Sequence, residues 1–268
     1  MNPLSAQSSR VALVVEYNGR AYHGWETQKT GPTVQAALEQ ALSRIATEPV
    51  RTICAGRTDS GVHARAQVIH FDCNFVRPEK AWLMGTNTHL PDDIVVRWAG
   101  QVSRDFHARF SARRRRYRYV IYNHRVAPGI VRGLVTWECR ALNAARMAEG
   151  AAYLLGRHDF EAYRARSCQS KTAIRTLYDC RVTAADDYIL IDVEANAFLQ
   201  HMVRNIAGVL MHIGMGKREP RWALQVLQGR DRALGGVTAP PDGLYLDAVF
   251  YPDAFQIPSV FPRTAMLW

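Results

Sequence analysis

The residues best placed to do chemistry lie in one short run, from Cys54 to Ala64, which reads Cys-Ala-Gly-Arg-Thr-Asp-Ser-Gly-Val-His-Ala. The run holds a single carboxylate, Asp59, two residues after Arg57 and four before His63. Asp-Ser-Gly predicts a turn, because Asp can bond its own backbone and Gly accepts a positive φ. A carboxylate on a rigid turn between strands can project into a cleft, although Asp-Ser-Gly alone is more often a solvated hairpin turn.

The turn needs elements on both sides to hold it, and the hydrophobic patterns predict them in two series. The first series has strands at Arg10–Tyr17, Val50–Ala55, Arg65–Asp72 and Ile94–Val102, a helix with Thr33 as its N-cap, and a short helix over Pro78–Asn87. The second has strands at Arg114–Tyr122, Thr172–Thr183, Tyr188–Ala195 and Leu244–Phe250, with helices over Asn143–Leu155, Leu199–Met215 and Arg221–Gln228. Residues 123–141 predict a long functional loop.

Each series reads β-α-β-β-α-β, the order of the ferredoxin-like unit. The predicted fold class is therefore α+β, with two ferredoxin-like, RRM-like halves. Residues 1–105 would carry the Asp59 loop, and residues 106–268 would form the second half. Each half would make an antiparallel sheet with helices on one face, and a catalytic cleft would lie between the two sheets.

The charge balance favours a polyanionic partner. The 268 residues carry a formal net charge of +10 at pH 7, which points to nucleic acid first and a membrane surface second. Arg114, Arg115 and Arg116 belong to the densest basic region, and on a strand beside a cleft they would grip RNA phosphates. Most such runs of arginine are simply charged, solvent-exposed surface. The region comprises Arg113–Arg116, Arg118, Arg125 and Arg132.

The cysteine and hydropathy patterns indicate the compartment. The five cysteines are odd in number and form no Cys-x-x-Cys pair, so neither a disulfide framework nor a thiolate metal site is expected. Residues Met1 to Arg10 lack the apolar core of a secretory signal, and no apolar run approaches the length of a membrane span. These patterns predict a reduced, soluble, cytoplasmic protein.

Further motifs occur along nearly the whole chain. They are Tyr17-Asn-Gly with Tyr22-His-Gly-Trp25, Thr33-Val-Gln35, Leu90-Pro-Asp-Asp-Ile94, Phe106-His-Ala-Arg-Phe-Ser-Ala112, Tyr117-Arg-Tyr119, His201-Met-Val-Arg-Asn205 and Gly243-Leu-Tyr-Leu246. Together with the loop around Asp59, they resemble the tRNA pseudouridine synthase A family. The resemblance implies that uridine is isomerised to pseudouridine at position 38, 39 or 40 of the tRNA anticodon stem-loop. It also implies a homodimer with no cofactor and no metal.

One stretch departs from the family pattern. Where the family usually reads Gly-Trp-Gln-x-Gln, this chain has Trp25-Glu-Thr-Gln28. Gln28 is retained, and we expect it to contact RNA. Glu26 replaces an amide with a carboxylate, so it changes the charge of that contact.

The resemblance also implies roles for individual residues. Asp59 would be the nucleophile. Arg204 shares a polar stripe of helical spacing with His201, Asn205, Gly208 and His212, and its charge would keep Asp59 ionised. Tyr117 would stack on the target base and take the proton from C5 at the end. A phenol is a poor base near neutrality, and we expect the surrounding arginines to lower its pKa.

Three other residues complete the predicted site. Arg57 would fill the stack that the flipped nucleotide leaves. Leu246 would line the base pocket, or belong to the core of the last strand. His63 is predicted to stabilise the loop.

Two other classes of protein share some of these features. A non-catalytic RNA-binding protein with two RRM-like halves would have the same charge, but it gains nothing from a carboxylate in a basic cleft. An aspartic protease uses Asp-Ser-Gly, but it needs two carboxylates that share a proton. This chain contains one Asp-Ser-Gly, so a protease site would need a second copy of the chain.

Overall fold

The computed structural model describes residues 9–258, which contain ten strands and four α-helices. The strands are β1 (Ser9–Tyr17), β2 (Ile53–Cys54), β3 (His63–Cys73), β4 (Ile94–Val102), β5 (Arg114–Asn123), β6 (Thr136–Glu138), β7 (Gly156–Asp159), β8 (Ile174–Ala185), β9 (Tyr188–Ala195) and β10 (Leu244–Phe250). The helices are α1 (Val34–Ala46), α2 (Ala144–Ala152), α3 (Met202–Gly214) and α4 (Trp222–Gly229).

The first half has its strands in the order β4-β1-β3, with β2 on the outer edge of β3. β1 lies in the middle because its run from Val11 to Val15 is apolar on both faces and fully buried. Helix α1 begins as predicted, with the Thr33 hydroxyl accepting a hydrogen bond from the Ala36 amide at 3.4 Å. The short helix before β4 spans 79–87 and contains a π-helical turn at Ala81–Gly85.

The second half repeats the arrangement, with strand order β10-β5-β9-β8. Numbered within the half, this is again 4-1-3-2, the order of the ferredoxin-like unit. Helix α2 follows β6, and α3 and α4 lie between β9 and β10 in the chain. The predicted α+β class with two ferredoxin-like halves is confirmed.

The two halves share one continuous sheet, where two sheets flanking a cleft had been expected. β10 pairs in parallel with the start of β3, Tyr245 opposite His63 and Leu246 opposite Ala64. The reason lies in the predicted strand Val50–Ala55, of which only β2 forms, opposite Ile69 and His70. The edge at the start of β3 is therefore free for β10. The segment 55–62 leaves the sheet where β2 ends and β10 begins, which places the Asp59 loop at the junction of the halves.

The predicted long loop, residues 123–141, contains the short strand β6 and packs against the sheet. Val131 and Val135 form a second, smaller core with Val120, Leu190 and Tyr245. This core lies on the face of β5 opposite to that of the buried Tyr119. The loop is thus a covering layer of the sheet.

Within residues 9–258, no helix combines the length and the apolar character needed to cross a bilayer. All five cysteines are free. The expected absence of a secretory signal concerns Met1 to Arg10, most of which lies outside the described residues. The division of the chain at 105 and 106 stays a prediction.

Candidate active site

Backbone hydrogen bonds from the first half hold the Asp59 loop. The Trp25 amide donates to the Thr58 carbonyl at 3.0 Å, and the Gly61 amide donates to the Tyr22 carbonyl at 3.3 Å. Gly61 has a φ of +77°, and the positive φ is the reason that glycine suits this turn. The loop therefore keeps its shape without using the Asp59 side chain.

His63 ties the loop to both halves. Its Nδ1 accepts from the Gly19 amide at 3.0 Å, which leaves the proton on Nε2, and Nε2 donates to the Asp242 carbonyl at 3.1 Å. The ring stacks on Tyr245 with 4.7 Å between centroids. Burial lowers the pKa of His63, so the ring is neutral at pH 7. These contacts confirm the predicted stabilising role.

The side chain that contacts the Asp59 carboxylate is His201, with Nε2 at 3.5 Å from Oδ2. Both side chains are about 30% exposed, at 30% for His201 and 31% for Asp59, so the carboxylate is open to a ligand. His201 precedes α3 in the left-handed region, with φ +61°. Its pKa is lowered by burial and by the charges of Arg204 and Arg232, and raised by Asp59.

Arg204 was expected to be the direct partner of Asp59, and the structure places it differently. Its Nε donates to the Ala239 carbonyl at 2.8 Å, and within residues 9–258 it makes no ion pair with Asp59. Arg204 and Arg232 are both close enough to lower the pKa of His201. The two arginines thus surround the Asp59–His201 contact with positive charge.

A hydrogen-bond network braces this side of the site. The Arg232 guanidinium donates to Asn205 Oδ1 at 2.9 Å, to the Thr238 hydroxyl at 2.8 Å and to the Gly236 carbonyl at 2.8 Å. The Asn205 amide nitrogen donates to the Tyr163 carbonyl at 2.8 Å. The predicted polar stripe of α3 is therefore partly internal, since Asn205 is buried in this network.

Tyr117 and Leu246 lie opposite each other on β5 and β10. Tyr117 is mostly buried and meets Phe198 edge to face at 4.9 Å, while Leu246 is fully buried. A Cβ added to Gly56 would lie 3.7 Å from the Tyr117 hydroxyl, so the phenol ends beside the Asp59 loop. Burial raises the pKa of Tyr117 well above its ordinary 10, with a smaller raising contribution from Asp59; the nearby Arg115 lowers it only in part. The expectation that arginines give a net lowering is wrong, because desolvation of the phenolate outweighs them.

Arg57 and Glu26 form an exposed ion pair at 2.5 Å. The carboxylate that replaces the family amide thus binds the arginine that was predicted to enter the RNA stack. Gln28, the retained amide, donates from Nε2 to the His23 carbonyl at 2.8 Å. Both predicted RNA contacts are engaged within the chain in this structure.

Arginines of the basic strand β5 form ion pairs with acidic residues on β9. Arg114 and Arg116 both pair with Glu194, at 2.6 and 2.8 Å, and Arg118 pairs with Asp192 at 2.8 Å. Alternation along the strand puts these three arginines on one face. Glu194 supplies one negative charge for two arginines, so this face keeps a net positive charge. Phosphate binding by Arg114 and Arg116 stays a prediction.

Arg115 points to the other face and is buried, which makes it unsuitable as a phosphate contact. Its guanidinium donates to the Ala55 carbonyl at 2.9 Å, to the Arg109 carbonyl at 2.8 Å and to the Asn196 carbonyl at 3.1 Å. Burial lowers the pKa of Arg115. Because Ala55 opens the segment that carries Asp59, we infer that Arg115 anchors the base of the loop.

Replacing Arg115 by Ala should therefore destabilise the fold, whereas Arg114→Ala, with the same change of charge, should not. The first removes the donor to the buried Ala55 carbonyl and to two part-buried carbonyls, for an expected loss of about 3 kcal/mol in the free energy of unfolding. The second leaves Glu194 paired with Arg116, for a loss below about 1 kcal/mol. Urea denaturation of both variants measures the difference. Equal losses would contradict the anchoring role.

Within the described part of the chain, no three His, Cys, Asp or Glu side chains come together as a metal site. The acidic and imidazole groups at the centre of the site are Asp59 and His201. No second carboxylate contacts Asp59 in these residues, so the paired carboxylates of an aspartic protease are not present within this part of one chain.

Known proteins resemble this chain over most of its length. A family model described as tRNA pseudouridine synthase matches residues 13–111 and 151–252. A tRNA pseudouridine synthase A from Nitrosococcus oceani is 53% identical over 259 residues, covering 97% of this chain and 100% of that protein. One from Alcanivorax borkumensis is 53% identical and covers 93% of this chain and 94% of its own length. One from Pseudomonas aeruginosa is 53% identical and covers 96% of this chain and 92% of its own length.

Proposed function

The chain belongs to the tRNA pseudouridine synthase family, and we propose that it isomerises uridine to pseudouridine in the tRNA anticodon stem-loop, at position 38, 39 or 40. The observation that carries this proposal is the half-open carboxylate of Asp59 on a rigid turn at the junction of the two halves. A nucleophile needs to be held in place by other groups, because its own side chain must stay free for the substrate. The Asp59 loop meets this requirement.

The reaction breaks the bond between C1′ and N1 and forms a bond between C1′ and C5 of the same uracil. The proton on C5 is lost and N1 gains one, so the product is an isomer. No redox change and no net hydrolysis occur, and this chemistry requires no cofactor. Asp59 would form a covalent adduct with the sugar or the base, or drive elimination to a glycal, and so divide one hard step into easier ones.

The surrounding charges would keep Asp59 ionised. Since the pKa of His201 is lowered, this ring is uncharged at pH 7 and contributes a polar contact. The positive charge comes from Arg204 and Arg232, which act through space.

The other site residues would contact the flipped uracil or the RNA strand that carries it. Tyr117 would form the wall on which the flipped uracil lies, with its phenol toward C5, and the buried Leu246 would support that wall from the core. Arg57 would leave its ion pair with Glu26 and take the place of the flipped nucleotide in the RNA base stack. Gln28 would exchange its hydrogen bond to the His23 carbonyl for a hydrogen bond to RNA. We also propose, from the family resemblance, a cytoplasmic homodimer that works without a metal.

The test uses the purified full chain and an unmodified tRNA transcript that has uridines at positions 38, 39 and 40. Pseudouridine should form without any additive and in the presence of EDTA. Transcripts in which each uridine is replaced by cytidine, singly and together, identify the position. No pseudouridine in any anticodon stem-loop, or pseudouridine only elsewhere in the tRNA, would contradict the proposal.

A further inference from the structure

Two arginines from different halves of the protein meet beside the Asp59 loop. Arg20 lies in the 3-10 turn Gly19–Ala21, and Arg132 lies in the loop that precedes β6. The Arg20 Nη1 donates to the Arg132 carbonyl at 3.3 Å. Gly133, with φ +80°, leaves the space that the Arg20 side chain occupies, since an added Cβ would lie 2.8 Å from its Cδ.

The charges of this pair are not neutralised. Both residues are exposed, and among residues 9–258 neither guanidinium lies within 4.0 Å of a carboxylate. Arg114, Arg116 and Arg118 on β5 differ, because each contacts a carboxylate, and Arg114 and Arg116 share that of Glu194. The Arg20 guanidinium lies against the backbone from which the Arg132 side chain extends, and both positive charges attract an anion that binds there.

The pair is held in place next to the catalytic loop. The Gly19 amide bonds His63, and a Cβ added to Gly19 would lie 2.0 Å from the Val62 carbonyl, so the turn is packed directly on the loop. Arg132 lies between Val131, which is buried in the second core, and Gly133. The Tyr245 hydroxyl donates to the Leu134 carbonyl and fixes the same segment. The backbone at both arginines is therefore already fixed before a ligand binds.

We propose that Arg20 and Arg132 form a two-arginine clamp for the phosphate backbone of the RNA strand that carries the target uridine. The clamp rests on the proposed function, because it assigns the RNA to the side of the loop next to Val62. Arginine forks bind phosphate oxygens in a bidentate manner, and two of them from separate halves fix a strand across the junction. Unlike the ion-paired arginines of β5, the two arginines of the clamp form no ion pair within residues 9–258 that a phosphate would have to displace.

The test measures the affinity for fluorescent tRNA at several salt concentrations, separately from turnover. The double variant Arg20→Gln, Arg132→Gln should flatten the slope of log affinity against log salt by about 1.5. Its affinity near 0.15 M salt should fall by roughly 20-fold, the loss that a slope smaller by about 1.5 gives when the two affinities converge at 1 M salt. The rate at saturating tRNA should change by less than about twofold, because the clamp does not touch the reacting atoms.

Two controls make the result decisive. Arg157→Gln with Arg181→Gln makes the same change of net charge on β7 and β8, at the far edge of the sheet, and should leave the slope within about 0.3 of the unchanged protein. Arg20→Lys with Arg132→Lys keeps the charges and should keep most of the slope. The clamp is overturned if the Gln pair behaves like the far-edge pair, or if the Lys pair loses the slope as well. If the unchanged protein binds tRNA through the clamp but forms no pseudouridine, only the proposed function fails.

Discussion

Asp59→Asn should bind tRNA as tightly as the unchanged protein and form no pseudouridine above background. The substitution keeps the size and shape of the side chain and removes the nucleophile. Affinity should stay the same or rise slightly, because a negative charge leaves a positive region. The expected loss in rate is at least about 10³-fold, since the covalent route to the product is removed.

The structure indicates that this variant will fold. The backbone of the loop is held by Trp25 and Tyr22, and the only side-chain contact of the Asp59 carboxylate among the described residues is the 3.5 Å approach of His201. An asparagine keeps that approach. Thermal unfolding should therefore match the unchanged protein within a few degrees. A folded variant that no longer binds tRNA would make Asp59 an anchor of the loop.

Asp59→Glu should fail almost as completely. One more methylene moves the carboxylate by about 1 Å from a position that must be held at near-attack distance. Asp242→Asn is the matched control, since this aspartate lies beside Gly61 and forms no ion pair in the described residues. Paired measurements of affinity and pseudouridine yield compare the three variants. Appreciable product from Asp59→Asn would refute the assignment of the nucleophile.

Tyr117→Phe should break the glycosidic bond or form the adduct, and then fail to complete the product. The ring remains packed on Phe198. The Tyr117 hydroxyl makes no hydrogen bond within residues 9–258, so its removal strands no partner. Loss of a proton acceptor in the last step should slow product formation by about 10²- to 10⁴-fold. Single-turnover analysis of the tRNA separates the intermediate from the product.

The pH dependence gives a second readout for Tyr117. Because burial raises the pKa of its phenol above 10, the phenolate is a minor form at pH 7 and its fraction rises about tenfold for each pH unit. The last step should therefore accelerate with pH between 7 and 9 in the unchanged protein and be independent of pH in Tyr117→Phe. Product formation by the variant at the unchanged rate would leave stacking as the only role of Tyr117.

Much of the local structure could be predicted from the sequence, because it depends on neighbouring residues. Ile94–Val102 and Leu244–Phe250 form strands with the predicted bounds, and Thr33 caps α1. Side-chain alternation, a capping hydroxyl and a Gly in a turn act over a few residues, so each is visible in the order of amino acids. The Asp59 turn belongs to this class.

The pairing of distant residues was decided by the tertiary structure alone. Glu194 lies 80 and 78 residues from the two arginines with which it pairs, and His201 lies on the opposite half from Asp59. Whether an arginine binds phosphate depends on which strand lies beside it and how deeply it is buried, and strand order is a property of the whole sheet. The string of arginines was therefore visible in the sequence. The ion pairs of Arg114 and Arg116, the anchoring contacts of Arg115 and the unpaired charges of Arg20 and Arg132 required the fold.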